Sequence, residues 1–255
     1  MKYKESEFGS IPEHWKVLST IEYCNIITDY VANGSFKSLA DNVNYNQGEK
    51  YAVLIRLTDY HNEFSGDFVH IDKQAYDFLG KTKLFGEEIV IANVGANVGT
   101  VFLVPKLNRK MSLGPNSIMI KTKRNDKFYY YWFKSRVGQG SLQSIITGSA
   151  QPKFNKTAFR KLNIPVPPMR EQNEIAKILS LLDDKIEQNN KINKNLEELA
   201  QTLYKRWFVD FEFPNEYGEP YKSSGGEMVE SELGLIPKGW IIENVTNLFV
   251  FKGGS

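Results

Sequence analysis

Lysine, arginine, asparagine and glutamine crowd the middle of this chain. From Pro105 to Lys161 thirteen Lys and Arg face a single acid, Asp126, a net charge of +12. The segments before and after it each carry a net charge of −5. Such a stretch suits one kind of chemistry. Its cations can neutralise phosphates, and its amides and guanidinium groups can hydrogen-bond to base edges. The candidates fall on turn-rich sequence. Asn93 and Asn97 flank Gly95, and Lys106, Arg109, Lys110 and Asn116 follow. Ser149, Gln151, Lys153 and Asn155 occupy "GSAQPKFN". A solvated basic face would look the same residue by residue. The contrast with both flanks, not any single side chain, favours a polyanionic partner.

Catalytic patterns are missing. His14, His61 and His70 show no metal-ligand spacing. No G-x-x-x-x-G-K-[ST] loop occurs. "GANVGT" leads from one strand pattern into another, so its glycines offer no helix N-terminus to a phosphate. Asp183, Asp184 and Lys185 fall on a helical pattern rather than in a strand-borne metal pocket. Cys24 is a lone cysteine, which fits a reducing compartment and reads as a small core residue. No apolar run reaches the roughly 18 residues that span a bilayer. The start, "MKYKESEFGS", lacks the apolar core of a secretory signal. The sequence therefore implies a cytoplasmic binding subunit, with no catalytic residues, metal site or cofactor of its own.

The candidates need a scaffold, and the pattern supplies one. "YAVLIRL", "EIVIANV", "GTVFLV" and "NSIMIKT" have strand character, with Gly, Asn, Asp or Pro at most of their ends. "NVGANVGT" predicts a hairpin or tight loop between two of them. "KFYYYWFKSR" predicts a helix whose aromatic face serves the core. Together these give a mixed α/β domain over residues 1–165.

Pro165, Pro167 and Pro168 then force an extended lead-in. Beyond them an apolar seam with alternating steps of four and three runs through Ile175, Leu179, Leu182, Ile186, Asn189, Asn193, Leu196, Ala200, Leu203 and Trp207. Glu171 to Trp207 is 37 residues, or roughly 55 Å of helix. A helix of that length cannot bury its seam on a compact domain alone, so it calls for a partner helix in an antiparallel coiled coil. Asn189 and Asn193 interrupt the seam, as a solvated stretch or as a register device. The helical region covers residues 166–212, and a polar connector follows over 213–229.

The connector leads to a repeat. "ESELGLIPKGW" at Glu230–Trp240 matches "ESEFGSIPEHW" at Glu5–Trp15 in seven of eleven positions, at an offset of 225 residues. With "IPVPPMREQNEIAKILSLLDDKIEQNNKINKNLEELAQTLYKRWFVDFEF", this repeat resembles the specificity subunit of type I restriction–modification enzymes. "GEEIVIANVGANVGTVFLV" and "GSAQPKFNKTAFRKLNIPVPP" fit the same layout.

The resemblance implies two target recognition domains, each reading a few base pairs of a two-part duplex DNA site. Two long antiparallel helices would separate them. It also implies docking to a modification (methyltransferase) subunit that uses S-adenosylmethionine and a restriction/translocase subunit that uses ATP and Mg. This chain departs from that layout. It holds one domain, one helix and the first residues of a second domain, 230–255. It is therefore expected to be a truncated fragment or a half-subunit that pairs with a second copy of itself. Two other readings stand beside this one: the recognition fragment of a fused restriction–modification enzyme, and a coiled-coil adaptor that binds only protein.

Overall fold

The computed structural model describes residues 2–45 and 51–249, in two compact units, residues 1–182 and 183–255. The strands Ala52–Ile55 and Ile89–Ala92 of the first unit read as unbroken apolar runs because both of their faces are dry. One antiparallel sheet has the order Cys24–Asp29, Ser117–Thr122, Ile89–Ala92, Val101–Leu103. Its Ile89, Ile91, Ile118 and Ile120 pack with Tyr129 and Phe133 of the helix Asp126–Lys134, and with Leu142 and Phe159. The alternate residues Val90 and Met119 face a second sheet, meeting Val53, Ile55, Met111 and Leu113. Side chains alternate along a strand, so two apolar neighbours demand an apolar residue at every position.

The second sheet has the order Val69–Ile71, Ala52–Ile55, Lys110–Leu113, Lys83–Leu84. Lys110–Leu113 runs parallel to Ala52–Ile55, and the other pairs are antiparallel. Its far face, with Ala52, Leu54 and Ile71, is covered by Leu39, Ala75 and Leu79 from two short helices and their ends. The mixed α/β fold expected from the sequence is thus present, and each expected strand contains an observed one. The strands Cys24–Asp29, Val69–Ile71, Lys83–Leu84 and Lys110–Leu113, which the pattern did not announce, complete the sheets. Cys24 is buried in this core, and desolvation pushes its thiol up to about 12, so it stays protonated.

The long helix runs from Met169 to Tyr204 and closes through a π-helical turn at Lys205–Val209. Its first turns dock on the first unit. Gln172 and Ala176 are buried, and Ile175 packs against the core. Ile175 therefore belongs to the domain core rather than to a free seam. Beyond it Leu182, Ile186 and Leu196 are 58%, 58% and 57% exposed, as are Ile178, Ile192 and Leu199 at 59%, 53% and 53%. The apolar face is wider than the seam read from sequence. Leu182 and Leu196 stand at its centre, the predicted Ile186 on one flank, and Ile178, Ile192 and Leu199 on the other.

The sequence repeat is also a repeat of bonds. In the first unit Tyr3–Ser6 pairs with Gly9–Pro12, and Ser6 Oγ donates to the Gly9 carbonyl at 2.7 Å. In the second unit Met228–Ser231 pairs with Gly234–Pro237 in the equivalent register, and Ser231 Oγ donates to the Gly234 carbonyl at 2.5 Å. Trp15 N bonds to Pro12 O and Trp240 N to Pro237 O, at 3.0 and 3.1 Å. The surroundings differ. Trp15 Nε1 donates to Glu171 Oε2 at 2.8 Å, and His14 Nε2 lies 2.6 Å from Glu171 Oε1. Trp240 instead packs among Phe208, Phe211 and Phe213, with centroids 5.4–6.1 Å away. Residues 250–255 of the second repeat lie outside the described residues.

Glu171 thus pins the N-terminal hairpin to the start of the long helix. Its carboxyl is held below the ordinary value of 4.5, first by the Trp15 N–H and then by His14. A depressed carboxylate stabilises the fold above its unfolded pKa, and that contribution is lost as pH falls through the folded value. Glu171→Gln, which keeps an acceptor for Trp15 but no charge, is expected to melt below the parent at neutral pH. The gap should close below about pH 4.5. Melting curves across pH check this, and a gap that does not change with pH counts against the pin.

Candidate nucleic-acid interface

The two sheets bring several predicted loops to one end of the first unit. The strand Ile89–Ala92 opens into the loop that holds Asn93 and Asn97, where Gly95 and Gly99 take φ of 102° and 91°. Those values are in the left-handed region that glycine tolerates. Asn93 N donates to Asn116 O at 3.0 Å, so the loop before Ser117 lies against it. Asn93 also exchanges bonds with Phe154, through Phe154 N to Asn93 O at 3.0 Å and Asn93 Nδ2 to Phe154 O at 3.2 Å. Gly95 N reaches Pro152 O at 2.9 Å. Thr147 and Lys153 close the third loop through paired backbone bonds of 2.8 and 2.9 Å. Ser149 and Gln151 stand exposed at its tip, while Asn97, Asn116 and Lys153 are exposed beside it.

Other predicted residues go elsewhere. Lys106 pairs with Glu87 at 3.0 Å, at the opposite end of the Ile89–Ala92 strand from Asn93. Lys110 begins its strand, lies 4.0 Å from the Tyr51 ring centroid and hydrogen-bonds to the Tyr51 hydroxyl. Arg109 sits 6.0 Å from the Phe68 ring centroid. A four-residue strand, roughly 13 Å, separates Lys110 from the loop that carries Asn116. Asn155 plays a structural part. Its Oδ1 accepts from Ala158 N at 2.8 Å and caps the helix Lys156–Lys161.

The charge asymmetry also changes in space. Acids from the flanking segments fold onto the basic one. Lys156 meets Asp29 at 2.8 Å, Lys121 meets Glu88 at 3.7 Å, and Glu87 takes both Lys106 and Lys127, the latter at 3.8 Å. Hydrogen bonding from Lys106 is the main reason the Glu87 carboxyl is held below its ordinary range. Asp126, in contrast, is pushed up by burial although Thr122 donates to it. Among the described residues no cluster of three or more His, Cys, Asp or Glu could hold a metal ion, and no helix is long and apolar enough to cross a membrane.

Sequence reasoning missed a neighbouring feature. A cleft of about 500 Å³ opens beside these loops, lined by Asp29, Tyr30, Phe36, Tyr45, Asn93, Asn116 and Ser117 among others. Phe36 is 83% exposed although it sits in the first turn of the helix Phe36–Asn42. The only sequence signal for that helix is its cap, Ser35, which accepts from Ser38 N.

Residues 12–198 match the family described as type I restriction modification DNA specificity domain. The chain belongs to this family. Among similar type I specificity subunits, MjaIX of Methanocaldococcus jannaschii is 26% identical over 260 residues, covering 100% of this chain and 56% of its own length. The HindI specificity subunit of Haemophilus influenzae is 31% identical over 115 residues, covering 45% of this chain and 23% of its own. The solved type I specificity subunit of M. genitalium shares the fold, with a TM-score of 0.51 at 18% identity, over 78% of this chain and 48% of that one. The chain spans about half the length of the M. jannaschii relatives it matches, 54–56%.

As the cap of Lys156–Lys161, Asn155 has a share in stability that can be measured. Asn155→Ala is expected to cost about 1 kcal/mol of stability, and Asn155→Ser to recover most of it. Thermal melts of the two variants decide between them. Equal melting of parent and alanine variant would show that the cap bond contributes nothing to stability.

Proposed function

We propose that this chain is a DNA-recognition half of a type I specificity subunit. It reads one part of a two-part target and carries no catalytic site. The observation that carries this reading is the set of exposed polar side chains, Asn97, Asn116, Ser149, Gln151 and Lys153, on three loops tied together at one sheet end. Amides there suit base edges, and the surrounding cations suit phosphates. In this reading the chain works in the cytoplasm with a modification subunit that uses S-adenosylmethionine and a restriction subunit that uses ATP and Mg.

Binding to duplex DNA is expected to weaken steeply with salt. Replacement of Lys153, the exposed cation beside the tied loops, should lower affinity alike for all sequences, whereas Asn97→Ala and Gln151→Ala should change base preference. Titration of random and cognate duplexes at several salt concentrations measures both. Affinity that is flat between low and physiological salt would sink the reading.

The exposed face of the long helix supports a second part of the proposal. Two copies pair antiparallel through it, which closes an isologous contact and places two identical domains on an inverted-repeat target. Leu182→Asp or Leu196→Asp is expected to leave a monomer in sedimentation, because each would bury an unpaired charge. A parent chain that sediments as a monomer, alone and with the modification subunit, would remove this part.

A further inference from the structure

The cleft beside the loops has three properties that the loop residues alone do not explain. Its walls are aromatic and aliphatic, with Tyr30, Phe36, Leu39, Val43 and Tyr45. Phe36, at 83% exposed, is far more open than a helix residue needs to be, and Val31 beside it is 42% exposed. Two of its lining residues also hold unsatisfied polar atoms. Ser117 is 2% exposed, and its Oγ has no partner among the described residues; the same is true of the buried Asn93 Oδ1. Buried oxygens of this kind are normally hydrogen-bonded, because leaving one unpaired forfeits its hydration with nothing in return. The Asn93 amide nitrogen is already given to Phe154, so what remains on that side chain is an acceptor.

We propose that this cleft is a base-contact subsite. Phe36 meets the ring or methyl of one target base, and a base amino group, as on adenine or cytosine, satisfies the unpartnered oxygens of Asn93 and Ser117, which are covered in this structure. The inference rests on the DNA-recognition reading and adds residues that the reading did not contain. Three observations favour a base over a partner protein's side chain. Asn93 and Asn116 are shared between the cleft and the tied loops. The orphan oxygens call for a donor, which an aliphatic anchor lacks. The exposed rings of Phe36 and Tyr45 stand in the wall, and any base can stack on a ring. Cations stand close by: Lys37 follows Phe36 in the chain, and Lys153 bridges to Val94 of the cleft wall.

The test uses the full chain with its modification subunit and a set of duplexes that vary the cognate site one base pair at a time. Phe36→Ala and Ser117→Ala are both expected to fold, the first because the ring is exposed and the second because its hydroxyl has no partner; melts confirm this. Each should lose about tenfold or more of the discrimination at one and the same base pair and leave the others unchanged. Full discrimination at every position in both variants overturns the subsite. So does loss of the modification subunit from Phe36→Ala with discrimination intact, which would make the cleft a protein-docking surface. A parent complex that binds every duplex equally fails the DNA-recognition reading itself and takes the subsite with it.

Discussion

Everything in the first unit depends on a sheet that is dry on both faces. The strands Ile89–Ala92 and Ser117–Thr122 sit between a helical layer and a second sheet, and all their residues but Lys121 are buried. At about 25 cal/mol per Å² of buried apolar surface, a run such as Ile89, Val90, Ile91, Ala92 fixes both register and strand direction. A one-residue slip would exchange every partner. Polar chemistry is therefore driven to the strand ends. Asn93 follows the last buried residue of one strand, and Asn116 precedes the first of its neighbour. Their loops meet because the strands they end are adjacent and antiparallel.

The same arrangement sorts the charges. A strand of the sheet separates Glu87 and Glu88 from Asn93, and the acids stay with the cations at their own end. The amide-rich end keeps Lys153 exposed, while Lys156 is tied to Asp29. A linear count gives a single basic block. In three dimensions that block divides into a partly neutralised end and an end where uncharged donors and acceptors predominate. A surface that discriminates bases needs neutral groups at its centre and cations around it, since phosphates contribute affinity without sequence information.

The sequence was most legible where burial is strongest. Apolar runs disclosed the core strands, and the aromatic helix was correctly read as core because Phe128, Tyr129 and Phe133 are buried. Glycines at positive φ disclosed the Asn93–Asn97 turn. The strand Lys110–Leu113 was hidden because it is short and starts on a charged residue. Asn155 caps a helix, and the sequence could not announce this because a cap and a base-reading amide call for the same side chain. The cleft was invisible for a different reason. Tyr30, Phe36, Asn93 and Ser117 are far apart in the chain, and only the pairing of Cys24–Asp29 and Ile89–Ala92 on either side of Ser117–Thr122 brings them together. The width of the apolar face on the long helix was underread because the seam through Ile186 was followed and the one through Ile178, Ile192 and Leu199 was not.

The duplicated hairpin has a kinetic meaning. Ser231 and Gly234 make the bonds of Ser6 and Gly9, yet Leu233 is 81% exposed where its counterpart Phe8 packs edge-on to Trp132. The shape of the element therefore depends only on residues within a dozen positions of one another. Contacts that local close in about 1–10 μs, long before a chain growing at about 5–20 residues per second has supplied the strands of a domain. Each copy can therefore close its own bonds without waiting for distant parts of the chain, but a lone two-stranded hairpin is marginal in water, so it persists only once something packs on it, as Trp132 does on Phe8.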